Sequence, residues 1–264
     1  MPAAASGSDW PSSIRGINNL ETSVKWAMYC TLIPPEILQR FGISTDGDDR
    51  LQVNCPHDTR SVEIIIHHQL DAEDPVMYLQ LADTMNFQIA LLLLVINDPE
   101  SERYNTDVDE QGLPTRFGTL RRNVAEEIRA MSAGLAPGQV RKGLRISHKY
   151  IPILEAFITR TGHEMVIIEP LTYNNAVVYE RYGFAYFQGR ARMEWIDGVL
   201  RPGGEFFDRF DGSTPFRKPD AWRSIRGRSW AIHDGILGEP FGDLRMYKRV
   251  GHEAGVDTFP DGVW

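Results

Sequence analysis

Cysteine is scarce. The chain has two, Cys30 and Cys55, in 264 residues, with no C-x-x-C pair and no histidine at metal-ligand spacing. That pattern reads as two reduced thiols in a cytoplasmic protein, with neither a disulfide framework nor a metal site. Long apolar runs are also missing. The longest, Ile89 to Ile96, is eight residues, where a membrane-spanning helix needs about 20. Residues 1–13 are mostly Ala, Ser, Gly and Pro, with neither a basic start nor an apolar stretch. They are expected to be a loose tail and not a secretory signal. Positive charge is in deficit: the formal net charge is −8. This argues against general nucleic-acid binding, which needs a basic face, and leaves room for a cationic or amine ligand.

What remains is an ordinary soluble composition, 42% hydrophobic and 24% charged, in a chain long enough to bury a real core. Leu20–Leu32 has near-helical apolar spacing and stops at Pro34–Pro35. Pro35–Phe41 reads as a second short helix closed by Gly42. Four strands are predicted next, at Leu51–Cys55, Ser61–Gln69, Val76–Ala82 and Phe87–Asn97. The last is apolar on both faces over Leu91–Ile96, the signature of a central strand covered on both sides.

The acid-rich stretch Asp98–Gly118 reads as a solvated insertion or an amine- or metal-attracting lobe, without the spacing and glycine of a calcium loop. A helix is expected over Thr119–Ser132, capped by Thr119, with Leu120, Val124, Ile128 and Met131 as its apolar stripe. Another is expected over Gly143–Thr161, with Pro152 kinking it or delaying its regular start. Then Met165–Ile168 is a strand, Asn174–Tyr182 a helix ended by Gly183, and Phe184 starts a further strand.

Ala191–Leu200 fits strand or helix equally, and Leu244–Val250 reads as a last strand. The run Ser229–Gly235, with Trp230, His233 and Asp234, reads either as a loop on the core or as part of an acceptor pocket. His67 and His68, adjacent on one strand, point to opposite faces and cannot chelate together.

A central strand, a loop with Arg141, Lys142 and Gly143, and a helix start make an anion site. Backbone N–H groups and the helix dipole favour phosphate there, and Arg145 adds charge. Asn174–Asn175–Ala176 is followed by Tyr179–Glu180–Arg181–Tyr182–Gly183–Phe184. Together these stretches resemble the GNAT superfamily of acyl-CoA N-acyltransferases. Residues 174–184 are similar to its asparagine–alanine helix ending in tyrosine-x-x-x-glycine-phenylalanine. Lys142–Gly143–Leu144–Arg145 is similar to its pyrophosphate loop. The specific motif covers about 20 residues. The family loop has Arg or Gln three residues before its first glycine, where Val140 stands here, and a second glycine where Arg145 stands.

The resemblance implies an α+β fold: a mixed, mainly antiparallel central sheet flanked by helices. It divides the chain into N-terminal helices (1–50), an acyl-CoA-binding core (51–200) and a C-terminal extension (201–264). It implies acetyl-CoA or another acyl-CoA as co-substrate, with no metal. Arg141, Lys142, Gly143, Leu144 and Arg145 would hold the pyrophosphate, and Asn174, Asn175 and Tyr182 would line the pantetheine arm. Tyr179 would be the general acid for the departing thiolate. Glu169, at a strand end, is the candidate base, with Asp98 and Glu100 as rivals. The acceptor would be a small amine, with neither nucleic acid nor membrane as partner; the C-terminal extension leaves room for a homodimer interface. The altered loop keeps open a catalytically silent acyl-CoA-binding or regulatory module. Each residue also has a plainer reading: Tyr179 and Tyr182 as packing aromatics, Gly183 as a helix cap, Arg141 and Lys142 as surface charge.

Overall fold

The computed structural model describes residues 10–116, 118 and 120–264. The expected cap Thr119 and most of the expected tail lie outside them. The fold is α+β, as the sequence implies. A seven-stranded, mostly antiparallel sheet and eight α-helices are present among the described residues.

The chain opens with α1 (Ile14–Asn18), α2 (Thr22–Cys30) and α3 (Pro35–Phe41). Of these, α1 escaped the sequence reading. It is a single turn started by Ser13, whose hydroxyl accepts from the Gly16 N–H at 3.0 Å. Helix α3 starts on Pro35 and ends at Gly42, whose φ of +58° closes a left-handed cap. Strands β1 (Leu51–Asn54), β2 (Ser61–Ile66), β3 (Met77–Asp83) and β4 (Ile89–Ile96) follow as an antiparallel meander.

Then come α4 (Val124–Ser132), α5 (Ser147–Arg160), β5 (Met165–Ile168), α6 (Tyr173–Arg181), β6 (Ala185–Gln188), α7 (Arg190–Leu200), α8 (Ile225–His233) and β7 (Arg245–Arg249). The strand order is β1-β2-β3-β4-β5-β7-β6. Residues 190–200, open from sequence, are helical.

Two boundaries are corrected. Helix α4 begins at Val124, capped by the Asn123 side chain. Its buried face carries Glu127 and Ala130, while Leu120 and Val124 of the expected stripe are exposed. Helix α5 begins at Ser147 and not at Gly143, because Arg145 has left-handed backbone, φ +59°, which no helix accommodates.

The chain divides into two compact units. One holds Met1–Pro99, Gly143–Ile168 and Tyr247–His252; the other holds Glu100–Lys142, Glu169–Met246 and Glu253–Trp264. In the first, β2 buries Val62, Ile64 and Ile66 while β3 buries Met77, Leu79 and Leu81, the period-2 pattern of a sheet with one covered face. On the other face Tyr78 donates to the Glu63 carboxylate at 2.9 Å. Phe157 of α5 stacks on Tyr29 of α2, ring centroids 6.3 Å apart.

Strand β4 differs from its expected description. The register pairs Gln80 with Leu93 and Leu81 with Leu91, so Leu92 is a bulge residue. Parallel pairing with β5 runs only from Ile89↔Val166 to Leu91↔Ile168. Beyond it, Leu92 is exposed and Leu93–Val95 are half-buried. The strand is central and apolar, but its second half is not covered on both sides.

In the second unit, Trp230 of α8 stacks on Phe216 at 5.3 Å and donates its indole N–H to the Leu135 carbonyl at 2.8 Å. Arg228, fully buried, is neutralised by Asp197 at 2.7 Å and lies over the Phe259 ring. The Glu180 carboxylate receives the Thr258 N–H at 2.9 Å, the Thr258 hydroxyl at 2.8 Å and the Tyr186 hydroxyl. This pins the segment around Thr258 to α6.

Asn18 joins α1 to the start of β2. Its buried amide donates at 3.0 Å to the Thr59 and Ser61 carbonyls and to the Thr59 hydroxyl, and it accepts from Tyr29. Removing it leaves those groups and the Tyr29 hydroxyl unpaired. Asn18→Ala is expected to cost about 2–3 kcal/mol, by the usual penalty for buried polar groups without partners, read as a lower urea midpoint at unchanged slope.

Candidate functional site

A cavity of about 730 Å³ lies in the second unit. Helix α8 supplies Ser229, Ile232 and His233. The segment after β5 supplies Glu169–Tyr173, and the glycine-bearing stretch Gly238–Arg245 closes the wall. Tyr173 and Phe241 meet edge-to-face, centroids 6.2 Å apart.

His233 is the residue around which this site is built. Its Nε2 lies 3.0 Å from the Glu127 carboxylate. Burial alone would push the Glu127 carboxyl up, but the bonds from His233 and Arg122 more than offset it, so it sits below the usual carboxylate value. In the neutral form of the ring, an ionised acceptor at Nε2 means that Nε2 carries the proton and Nδ1 is the acceptor nitrogen. Gly118 presses on the ring edge: a Cβ there would lie 2.3 Å from His233 Cε1.

Behind the histidine, Asp234 receives Arg122 at 3.1 Å, Arg217 at 2.9 Å and the Thr214 hydroxyl at 2.8 Å. On the neighbouring turn of α8 the Ser229 hydroxyl donates to Asn174 Oδ1 at 2.7 Å, which leaves the serine oxygen as an acceptor.

The residues singled out from sequence fall in several places. Glu169 lines the cavity, exposed and paired with Arg245 at 2.9 Å. Tyr179 does not line it; its ring packs on Phe184, centroids 5.1 Å apart. Burial of the Tyr179 hydroxyl, then the neighbouring Tyr182, pushes its pKa above the ordinary tyrosine value. Gly183, φ +78°, closes α6 with the Phe184 N–H reaching back to the Tyr179 carbonyl at 3.0 Å. Asn174 is buried, donates to the Asn175 side-chain oxygen at 3.0 Å and holds Ser229.

In the loop before α5, the Arg141 guanidinium donates to the Ser101 carbonyl and the Lys142 N–H reaches the Ser101 hydroxyl at 3.2 Å. These two residues belong to the second unit. Gly143, Leu144 and Arg145 belong to the first. There Gly143 is tightly placed, since a Cβ would lie 3.0 Å from the Ile96 carbonyl oxygen. Leu144 and Ile146 line a shallower cavity of about 440 Å³ with residues of α3. Asp98, a rival base, is paired with Arg40 at 3.2 Å.

The His233–Glu127 pair was not foreseen. Its one local signal is the i, i+4 spacing of Ser229 and His233; Glu127 lies 106 residues away in sequence. Among the described residues no group of three or more His, Cys, Asp or Glu side chains is arranged to hold a metal ion, and no helix is long and apolar enough to cross a membrane. No protein-family model matches the chain, and neither a curated protein nor a solved structure matches it.

Glu127→Gln removes the charge that Arg122 and His233 share. It is expected to destabilise by about 2 kcal/mol at pH 7, in the range for a broken buried charged contact. Glu127 has a depressed pKa in the fold, so its stabilisation is complete above the ordinary value of 4.5 and is lost as pH falls through the lower folded value. The stability difference between wild type and variant, followed by urea unfolding from pH 7 to pH 3, should therefore shrink toward acid.

Proposed function

We propose that the chain is an acyl-CoA-dependent N-acyltransferase, with acetyl-CoA the first co-substrate to test and a small amine as acceptor. The observation that carries this reading is the second half of β4. Past the end of pairing with β5, the bulge residue Leu92 is exposed and the apolar residues Leu93–Val95 are incompletely covered. A bulge leaves backbone groups out of the ladder, where an N–H can polarise a thioester carbonyl.

An uncovered apolar strand suits the pantetheine arm. Gly143, held against the Ile96 carbonyl, keeps the segment before α5 at the end of that strand. The N-terminal end of α5 suits phosphate, with Arg145 adding charge. Arg141, Lys142, Leu144, Asn174, Asn175 and Tyr182 are assigned to the cofactor on the resemblance.

Tyr179 is assigned as the acid that protonates the thiolate. Its raised pKa keeps it protonated at neutral pH, as a donor must be. Glu169 is assigned as the base, although its pairing with Arg245 has to be given up for that role. The free thiols Cys30 and Cys55 support a reducing compartment, and we place the activity in the cytoplasm.

Arg145 favours a second reading. A side chain in left-handed backbone stands where a phosphate loop uses glycine, which suits a silent acyl-CoA-binding or regulatory module.

Thermal unfolding with acetyl-CoA separates these outcomes. At a hundredfold excess over Kd, binding adds about 2.7 kcal/mol, a rise of about 5 °C or more for a chain of this size. A rise accompanied by acetyl-CoA-dependent thiol release with an amine panel supports the transferase. Tyr179→Phe should then lower kcat about a hundredfold and keep the thermal shift. A rise without thiol release supports the silent module. No rise with acetyl-CoA or longer acyl-CoA esters overturns both.

A further inference from the structure

We propose that the cavity of the second unit is a binding site for a small organic ammonium ion with an apolar body, received by Nδ1 of His233 and the hydroxyl oxygen of Ser229. Binding there requires no acyl-CoA, and Glu169, assigned above as the base, is one residue of its wall.

The chemistry follows from which lone pairs are committed. Glu127 holds Nε2–H of His233 at 3.0 Å, so in the neutral ring, the form the test at pH 8 addresses, Nδ1 is an acceptor. Among the described residues nothing hydrogen-bonds Nδ1. Ser229 spends its proton on Asn174 at 2.7 Å, so its oxygen is an acceptor too. The two residues lie four apart on α8, on one face, and both line the cavity. Two acceptors one helical turn apart favour a ligand that brings donors, and an ammonium brings three.

Charge agrees with this. The cavity carries three carboxylates, Glu169, Glu239 and Asp243, against a single arginine, Arg245. Arg245 is committed to Glu169 and Arg192 to Glu239. Asp243 has no ion-pair partner among the described residues. Beside Thr172 and Gln188 the wall carries apolar and aromatic side chains, Leu171, Ile232, Leu244, Tyr173 and Phe241. It offers ring faces to a cation and room for a hydrocarbon body. The imidazole is also held in place: Glu127 fixes one nitrogen, and Gly118 packs close beside its Cε1 edge. Such preorganisation lowers the ordering cost of binding.

The test uses the full chain at pH 8 with benzylamine, benzyl alcohol and benzoate as probes of one shape and three charges. Binding is followed by NMR on the imidazole Cε1–H signals, with His233 identified by the signal that His233→Gln removes. Benzylamine is expected to move the His233 signal saturably. Benzyl alcohol should bind at least tenfold more weakly, and benzoate should leave the signal unmoved. Leu171→Trp, a change at an exposed rim position, fills the cavity without touching the buried charges and should weaken benzylamine tenfold or more. Asp243→Asn should weaken it severalfold. No saturable shift, equal binding of benzyl alcohol, a preference for benzoate, or full benzylamine affinity in folded Leu171→Trp would each overturn the assignment.

Discussion

A carboxylate taken out of water must be surrounded, and in the second unit that constraint falls on Glu127. Helix α4 turns it inward, where only 3% of its side chain meets solvent. An unpaired ion in that position costs several kcal/mol. Arg122 and His233 supply the compensation, but Arg122 is then itself withdrawn from water and shares its charge with Asp234. Asp234 in turn takes Arg217 and Thr214. One buried acid thus fixes the approach to α4, the last turn of α8 and the segment around Thr214. Truncating any member leaves another charge unsatisfied. The imidazole that faces the cavity is therefore positioned by electrostatics before any ligand arrives.

The first unit is organised by a different rule. Backbone polar groups in a sheet pair along a ladder, and a bulge breaks that ladder at one point. In β4 the break falls at Leu92, immediately after the last residue paired with β5. The first half of the strand, Ile89–Leu91, is buried. The second half, with the same kind of side chain, is not. Leucine and valine left half-covered cost roughly 25 cal/mol for each Å² that stays in water.

Much of the architecture was legible because it rests on short-range rules. Alternation in β2 and β3, proline at the start of α3 and glycine at its end are local facts with local causes. Met165–Ile168 and Gly183 were legible for the same reason. The errors also have physical sources. The inward position of Glu127 on α4 is hidden, because a buried glutamate looks like a surface residue until its arginine and histidine are found, although Ile128 and Met131 of the apolar stripe do pack on the core. The spacing alone starts α5 at Gly143, because one residue's left-handed φ is invisible when that residue is arginine. An apolar run such as Leu91–Ile96 reports affinity for an apolar environment, but not whether the fold provides it. The cavity was the least legible feature. Ser229 and His233 are neighbours in helical spacing, but Glu127, Gly118 and Asp243 join them only through tertiary packing.

Arg145 shows how far a motif can be trusted. A non-glycine residue with φ near +60° costs about 1–2 kcal/mol over glycine, and cheaper residues exist for that position. Its neighbour Gly143 has no such latitude, because the Ile96 carbonyl stands where its Cβ would be. The two positions therefore answer different demands. Gly143 is required by packing whatever the chain binds, so its presence says little about phosphate. Arg145 is required by nothing in the packing: its side chain is exposed and its backbone is strained. Of the residues in the loop, the one that departs from the glycine pattern is therefore the one that packing leaves free to vary, and the glycine that fits the pattern is the one that packing dictates.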